Sequence, residues 1–291
     1  MLALATEEGD LRSMAMATVS LSIAADEVHD SVALSLEAAA IARRGGYGMT
    51  EMTAMANAVE ATVECGMWAT TDELLADLGG RPELPPGLAD YVAYGAALLA
   101  AYRGDRDSAV AAMDGVSTET LQSEDPTTKA WHHRVLAVLA LMRGDMSDAY
   151  GEAMTAIDAE PAGPNRALAV WCAGRAALWL GDPQKARAPL ARTAAAEARW
   201  EIATRRAIEA GTAALEGQTR EASDAFETLL AGRLAQGDPF GHALMTIDAV
   251  AVLPPELVPE GAVETARAYL EELDAPPLLA RLAPADVPAT S

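Results

Sequence analysis

The feature that most constrains this chain is a motif in tandem. Gly104-Asp105…Ala109, Gly144-Asp145…Ala149, Gly181-Asp182…Ala186 and Gly217-Gln218…Ala222 each place an alanine five positions after a glycine, behind an apolar helical run. Gly66-Met67-Trp68 opens a weaker copy, with Thr71 in the alanine's place. Successive glycines are 38, 40, 37 and 36 residues apart. A near-constant period of this size marks a repeat architecture, in which each unit buries its apolar face only against its neighbours.

The motif has a mechanical reading. Glycine tolerates the positive φ that ends a helix, and an aspartate just beyond can cap the helix that follows. The small residue five positions on sits where two helices cross. Ala97, Ala137, Gly174 and Ala210, each seven residues before a motif glycine, serve the opposite side of that crossing. Prolines punctuate the pattern: Pro126, Pro161, Pro164 and Pro239 lie between helical runs, and Pro183 suits a first helical turn. Pro189 falls inside the run 184–196, which predicts a kink or a restart there. The Arg81–Gly87 stretch is the richest in proline and glycine and predicts a bend near residues 80–88. Residues 1–282 are expected to form a single helical domain, closed by helices after Pro254 and followed by a frayed tail, 283–291.

Composition agrees. Hydrophobic residues make up 51% of the 291, yet aromatics only 4%, and 66 are alanine, the best helix former. Such a chain is too apolar for intrinsic disorder and too poor in β-branched and aromatic residues for a sandwich. The net charge of -22, with Lys129 and Lys185 the only lysines, excludes binding to nucleic acid or an anionic membrane by this chain alone. No apolar run approaches a membrane span, and acidic residues precede the stretch 14–25, so a cytoplasmic location is expected. Cys65 and Cys172 read as buried free thiols.

The spacing resembles tetratricopeptide repeats, in which a glycine and an alanine five apart mark the turn and the second helix, with a proline twelve further on, as from Ala149 to Pro161. The period here exceeds the usual length of about 34 residues, and most of the consensus aromatics are replaced by alanine. The resemblance implies an all-α, right-handed superhelix of about six helix pairs. Two segments are more specific. Asn57-Ala58-Val59-Glu60-Ala61…Gly66-Met67-Trp68 and Ala266–Leu279 are similar to segments in the C-terminal helical-repeat regions of bacterial LuxR-type regulators and of multidomain adenylate/guanylate cyclases, although Met67 stands where that family has arginine. In those proteins the region follows an ATPase or cyclase module and senses a ligand or protein partner. Met1–Glu8 reads as the second helix of a repeat, so an upstream module or a homodimer is expected to cover its face.

The sequence holds no phosphate-binding loop, no dinucleotide fingerprint and no metal-ligand spacing, so no cofactor is expected. His132 and His133 are neighbours and diverge on a helix, with His133 at a core position. Carboxylates are abundant but scattered, and no nucleophile–base pair stands out. In tetratricopeptide repeats the inner surface is lined by positions thirteen, ten, six, three and two residues before the turn glycine. Transferred here, those offsets select Tyr91, Tyr94 and Tyr102, then Trp131, Arg134 and Met142, then Trp171, Arg175 and Trp179. The rings either line a groove or fill it by packing. A groove with aromatic walls, where Arg134 and Arg175 fix a carboxylate, predicts non-catalytic recognition of a peptide, partner helix or small apolar ligand. The alternative is an enzyme, a hydrolase or isomerase, using groove carboxylates. The charge yields a first prediction: the purified chain leaves duplex DNA unshifted in a mobility assay at physiological salt, and submicromolar, salt-sensitive binding would refute that reading.

Overall fold

A computed structural model describes residues 5–6, 9–81, 84–160, 164–192 and 198–282. Among these residues every regular element is helical and no strand occurs. The stretches 1–4, 7–8, 82–83, 161–163, 193–197 and 283–291 lie outside the described residues. They hold most of the expected first helix, part of the expected bend, Pro161 and the tail.

The repeat glycines behave as their spacing predicts. Gly66, Gly104, Gly144, Gly181 and Gly217 all have φ between +69° and +92°. After Gly144, for example, the Asp145 amide donates to Ala140 O at 2.9 Å and the Gly144 amide to Leu141 O at 3.1 Å, so carbonyls left over at the helix end are satisfied. The residues five further on, Thr71, Ala109, Ala149, Ala186 and Ala222, are all buried. Where threonine replaces alanine, its hydroxyl has a partner: Thr71 Oγ1 lies 2.9 Å from Thr62 Oγ1. Capping by the residue after glycine is less regular. Asp182 accepts from the Gln184 and Lys185 amides, whereas Asp145 makes no side-chain cap and pairs with Arg143 instead.

The chain divides into two compact units. The first comprises Met1–Leu99, Asp107–Ser123 and Ala198–Trp200. It contains α1 (Leu11–Ile23), α2 (Val28–Gly45), α3 (Gly48–Glu64), α4 (Trp68–Gly79), most of α5 (Pro86–Tyr102), most of α6 (Arg106–Asp114) and α7 (Thr118–Leu121). Helices α1 to α4 pack in order, each on the next. A methyl group on Gly95 would lie 2.3 Å from Val59 Cγ1, so only glycine lets α5 approach α3 this closely. Buried Glu51 on α3 accepts from Arg43 Nε of α2 and from Arg81 Nη2, each at 2.8 Å. Burial pushes its carboxyl up, but the two guanidinium hydrogen bonds outweigh this and hold it below the usual glutamate value. Asp90 accepts from the amide and hydroxyl of Ser117 and from the hydroxyl of Thr120, which docks α7 on α5.

The second unit comprises Ala100–Arg106, Glu124–Glu197 and Glu201–Ser291. Its helices are α8 (Pro126–Arg143), α9 (Met146–Ala159), α10 (Pro164–Trp179), α11 (Pro183–Ala191), most of α12 (Arg199–Leu215), α13 (Thr219–Ala235), α14 (Pro239–Val252), α15 (Ala262–Glu272) and α16 (Pro276–Leu279), with 3₁₀ turns at Pro255–Leu257 and Ala280–Leu282. Neighbours pack on neighbours: α8 on α9, α9 on α10, α10 on α11, α13 on α14 and α14 on α15. A methyl on Gly174 would meet Ile208 Cδ1 at 2.3 Å, which shows how closely α10 and α12 cross. Helix α10 also packs on α8, and two contacts reach further along the chain. Helix α14 packs on α10, and α16 on α8.

His133, expected in the core, is partly exposed, because its Nδ1 pairs with Glu152 Oε2 of α9 at 2.7 Å. Helix α11 continues through Pro189 to Ala191, and the remainder of the run in which a kink or restart is expected, 193–196, lies outside the described residues. Proline cannot donate to the carbonyl four residues back, Lys185 O, and that acceptor is met from outside by the Tyr150 hydroxyl at 3.3 Å. A double-mutant cycle tests this substitution of partners. Tyr150→Phe is expected to destabilise the protein by about 1 kcal/mol, and by much less beside Pro189→Ala, where the new amide can serve Lys185 O. Equal losses in both backgrounds, by urea denaturation, would contradict it.

Candidate functional site

Three of the residues selected from sequence converge in the second unit. Trp171, Arg175 and Trp179 are spaced by four along α10 and therefore share one face of it. Opposite stands α14, whose residues Phe240–Ala249 are all buried. Asp248 is the sole charged side chain in that helix. Arg175 Nε donates to Asp248 Oδ1 at 2.9 Å and its Nη2 to Oδ2 at 3.0 Å, a bidentate fork. Trp179 Nε1 donates to Oδ1 of the same carboxylate, also at 2.9 Å. The ion pair is nearly sealed, with side-chain exposures of 5% for Arg175 and 3% for Asp248.

Cations and rings complete the cluster. The Arg175 guanidinium lies 4.3 Å from the centroid of Trp171 and 5.8 Å from that of Trp179. Arg281, in the last 3₁₀ turn, stacks its guanidinium 4.1 Å from the Trp179 centroid. Burial lowers the pKa of Arg281, Arg175 lowers it further, and Asp248 opposes them. Trp171, Trp179 and Arg281 are each partly exposed, so the cluster has a buried ionic floor and an aromatic and cationic rim that reaches solvent.

The other selected residues are placed differently. Tyr102 is buried and meets Phe240 of α14 edge-on, centroids 5.5 Å apart at 88°. Trp131 and Arg134 are buried on α8, at 2% and 0% exposure, while Met142 near the end of that helix is partly exposed. Tyr91 and Tyr94 belong to the first unit; Tyr91 is partly exposed, and Tyr94 is buried. Burial, with Asp90 and Tyr91 adding to it, pushes the Tyr94 phenol above its usual value. Around Arg175 and Tyr102, then, the positions that repeat register selects in the second unit are met by its own helix α14. The carboxylate that Arg175 fixes is the chain's own.

Asp248 and Arg281 were missed in the sequence. Asp248 had a signal, since a lone carboxylate in an apolar helix needs a buried partner. Arg281 had none. Among the described residues no three His, Cys, Asp or Glu side chains gather as a metal site, and no helix is long and apolar enough to cross a membrane. Compared with known proteins, the chain matches no family model, no curated protein and no solved structure.

Removing one partner of a buried pair strands the other charge. Asp248→Ala, which also orphans the Trp179 N–H, is expected to cost about 3–5 kcal/mol in chemical denaturation. The double variant Arg175→Met/Asp248→Leu, which removes both charges, should lose distinctly less; an equal loss would mean that the pair contributes no more than shape.

Proposed function

We propose that the chain is a non-catalytic recognition module of a cytoplasmic regulatory or sensor protein, built as a tetratricopeptide-like superhelix. In this reading it resembles the helical-repeat regions of LuxR-type regulators and cyclases, and it receives a small apolar ligand, a peptide or a partner helix on the inner-face positions. One observation supports this above the others: Trp171, Arg175 and Trp179, selected by repeat register alone, meet in one cluster whose indoles stay partly exposed. Partly exposed indoles beside fixed charges are the usual anchors of recognition surfaces, where a few aromatic and arginine residues dominate affinity. The chemistry of the cluster favours binding over catalysis, because its carboxylate is held by three donated hydrogen bonds and its arginines carry no proton to exchange near neutral pH.

The test pairs stability with binding. A panel of amphipathic peptides and small apolar compounds is titrated while tryptophan fluorescence is followed. Trp171→Ala is expected to keep the melting temperature within a few degrees and to weaken binding by about 30-fold, the loss of a hot-spot anchor. Trp200→Ala, at a position outside the inner-face set, should bind like the parent. Unchanged binding in Trp171→Ala, or no binding by any member of the panel, would dismiss the reading.

A further inference from the structure

The cluster carries two guanidinium groups and one carboxylate. Asp248 is already engaged by the Arg175 fork and the Trp179 indole. Arg281 stacks on Trp179 and, among the described residues, donates no hydrogen bond. Its head lies beside the C-terminal end of α8, where Nη2 would be 3.8 Å from a methyl on Gly144. Helix-end dipoles relieve a fraction of one charge and leave the rest. Arg281 feels both Arg175 and Asp248, but that carboxylate already pairs with Arg175 and Trp179, so in a chain of net charge -22 this partly buried arginine has no acidic partner of its own among the described residues. A second donor is also idle: Trp171 Nε1 is buried and has no hydrogen-bond partner. A guanidinium stacked through its face keeps the N–H groups of its edge for an acceptor in its own plane.

From this we infer that the rim of the cluster is a binding site for a small organic monocarboxylate with an apolar body. The carboxylate pairs with the edge of Arg281, and the body lies against the partly exposed indoles of Trp171 and Trp179. Among the described residues the cluster keeps one uncompensated positive charge, which calls for a monoanion, and a planar fork matches a planar carboxylate better than a tetrahedral phosphate. The chain's net charge of -22 disfavours a dianion further. This deepens the proposed function and rests on it: Arg175, expected to fix the ligand's carboxylate, is occupied internally, and Arg281 takes that task.

The probes are benzoate, its neutral isostere benzamide, and inorganic phosphate, titrated into the full chain with tryptophan fluorescence and thermal shift as readouts. Benzoate is expected to bind at least tenfold more tightly than benzamide, and phosphate not to compete. Arg281→Gln should abolish the preference for benzoate while leaving benzamide binding as it was, and Arg281→Lys should keep part of it. Benzamide binding as well as benzoate overturns the carboxylate site but leaves the aromatic recognition surface standing. Benzoate unaffected by Arg281→Gln also overturns it, as does competition by phosphate. If neither probe binds while the peptide panel does, the carboxylate site alone falls; if nothing binds, the proposed function falls with it. Should Arg281→Gln fail to fold, the benzoate-to-benzamide ratio of the parent chain decides.

Discussion

The repeated unit of this protein depends on one backbone event, a single residue passing into the left-handed region as a helix ends. For a residue with a side chain that passage costs about 1–2 kcal/mol, and for glycine almost nothing. Once the chain has reversed, the next helix lies directly against the last, and the residues at the crossing have to be small. Ala149 and Ala186 are wholly buried for this reason, and Gly174 has no room for even a methyl group. Small crossings bury little area each, so many are needed, and the buried alanines at these crossings go with the glycines that reverse the chain.

The second unit is held by more than this. Its repeated helices join through apolar contacts between small side chains, which are tolerant of sliding. The approach of α14 to α10 is instead fixed by a fork of hydrogen bonds from Arg175 to Asp248, with Trp179 supplying a third. Such directional contacts add less net stability than burial does, but they permit one register where apolar packing permits several. The same helix faces the ring of Tyr102 with Phe240. Positions that the repeat pattern assigns to a lining surface thus serve as an internal docking surface for the end of the unit.

Most of the fold was legible in the sequence, because local steric rules govern it. The positive-φ glycines, the buried residues five positions on and the prolines at the starts of α8, α10, α11 and α14 all obey constraints visible within a few residues. Gly46 and Gly237 also take positive φ, but the sequence does not mark them as members of the series, since Glu51 and His242 stand where the alanine would be. The site was legible only in part. Repeat register selected Trp171, Arg175 and Trp179, but no local rule connects Arg175 with a carboxylate 73 residues away. Nor did a local rule foresee that Tyr150 would serve the carbonyl that Pro189 leaves without a donor, because the two lie on different helices. Where the outcome was set by pairs distant in sequence, periodicity was silent.

The link between α10 and α14 changes the kind of folding problem this unit poses. A linear array of repeats forms from contacts close in sequence, so its ends can fray one repeat at a time while the middle persists. Here α12 and α13 lie within a loop closed by the Arg175–Asp248 contact. Closing such a loop is entropically costly before any reward is collected, which raises contact order and slows the final step of folding. Once made, the closure ties the fate of the last helices to that of α10. The unit then opens cooperatively, as a ring opens at one joint, and no longer peels from its end like a stack.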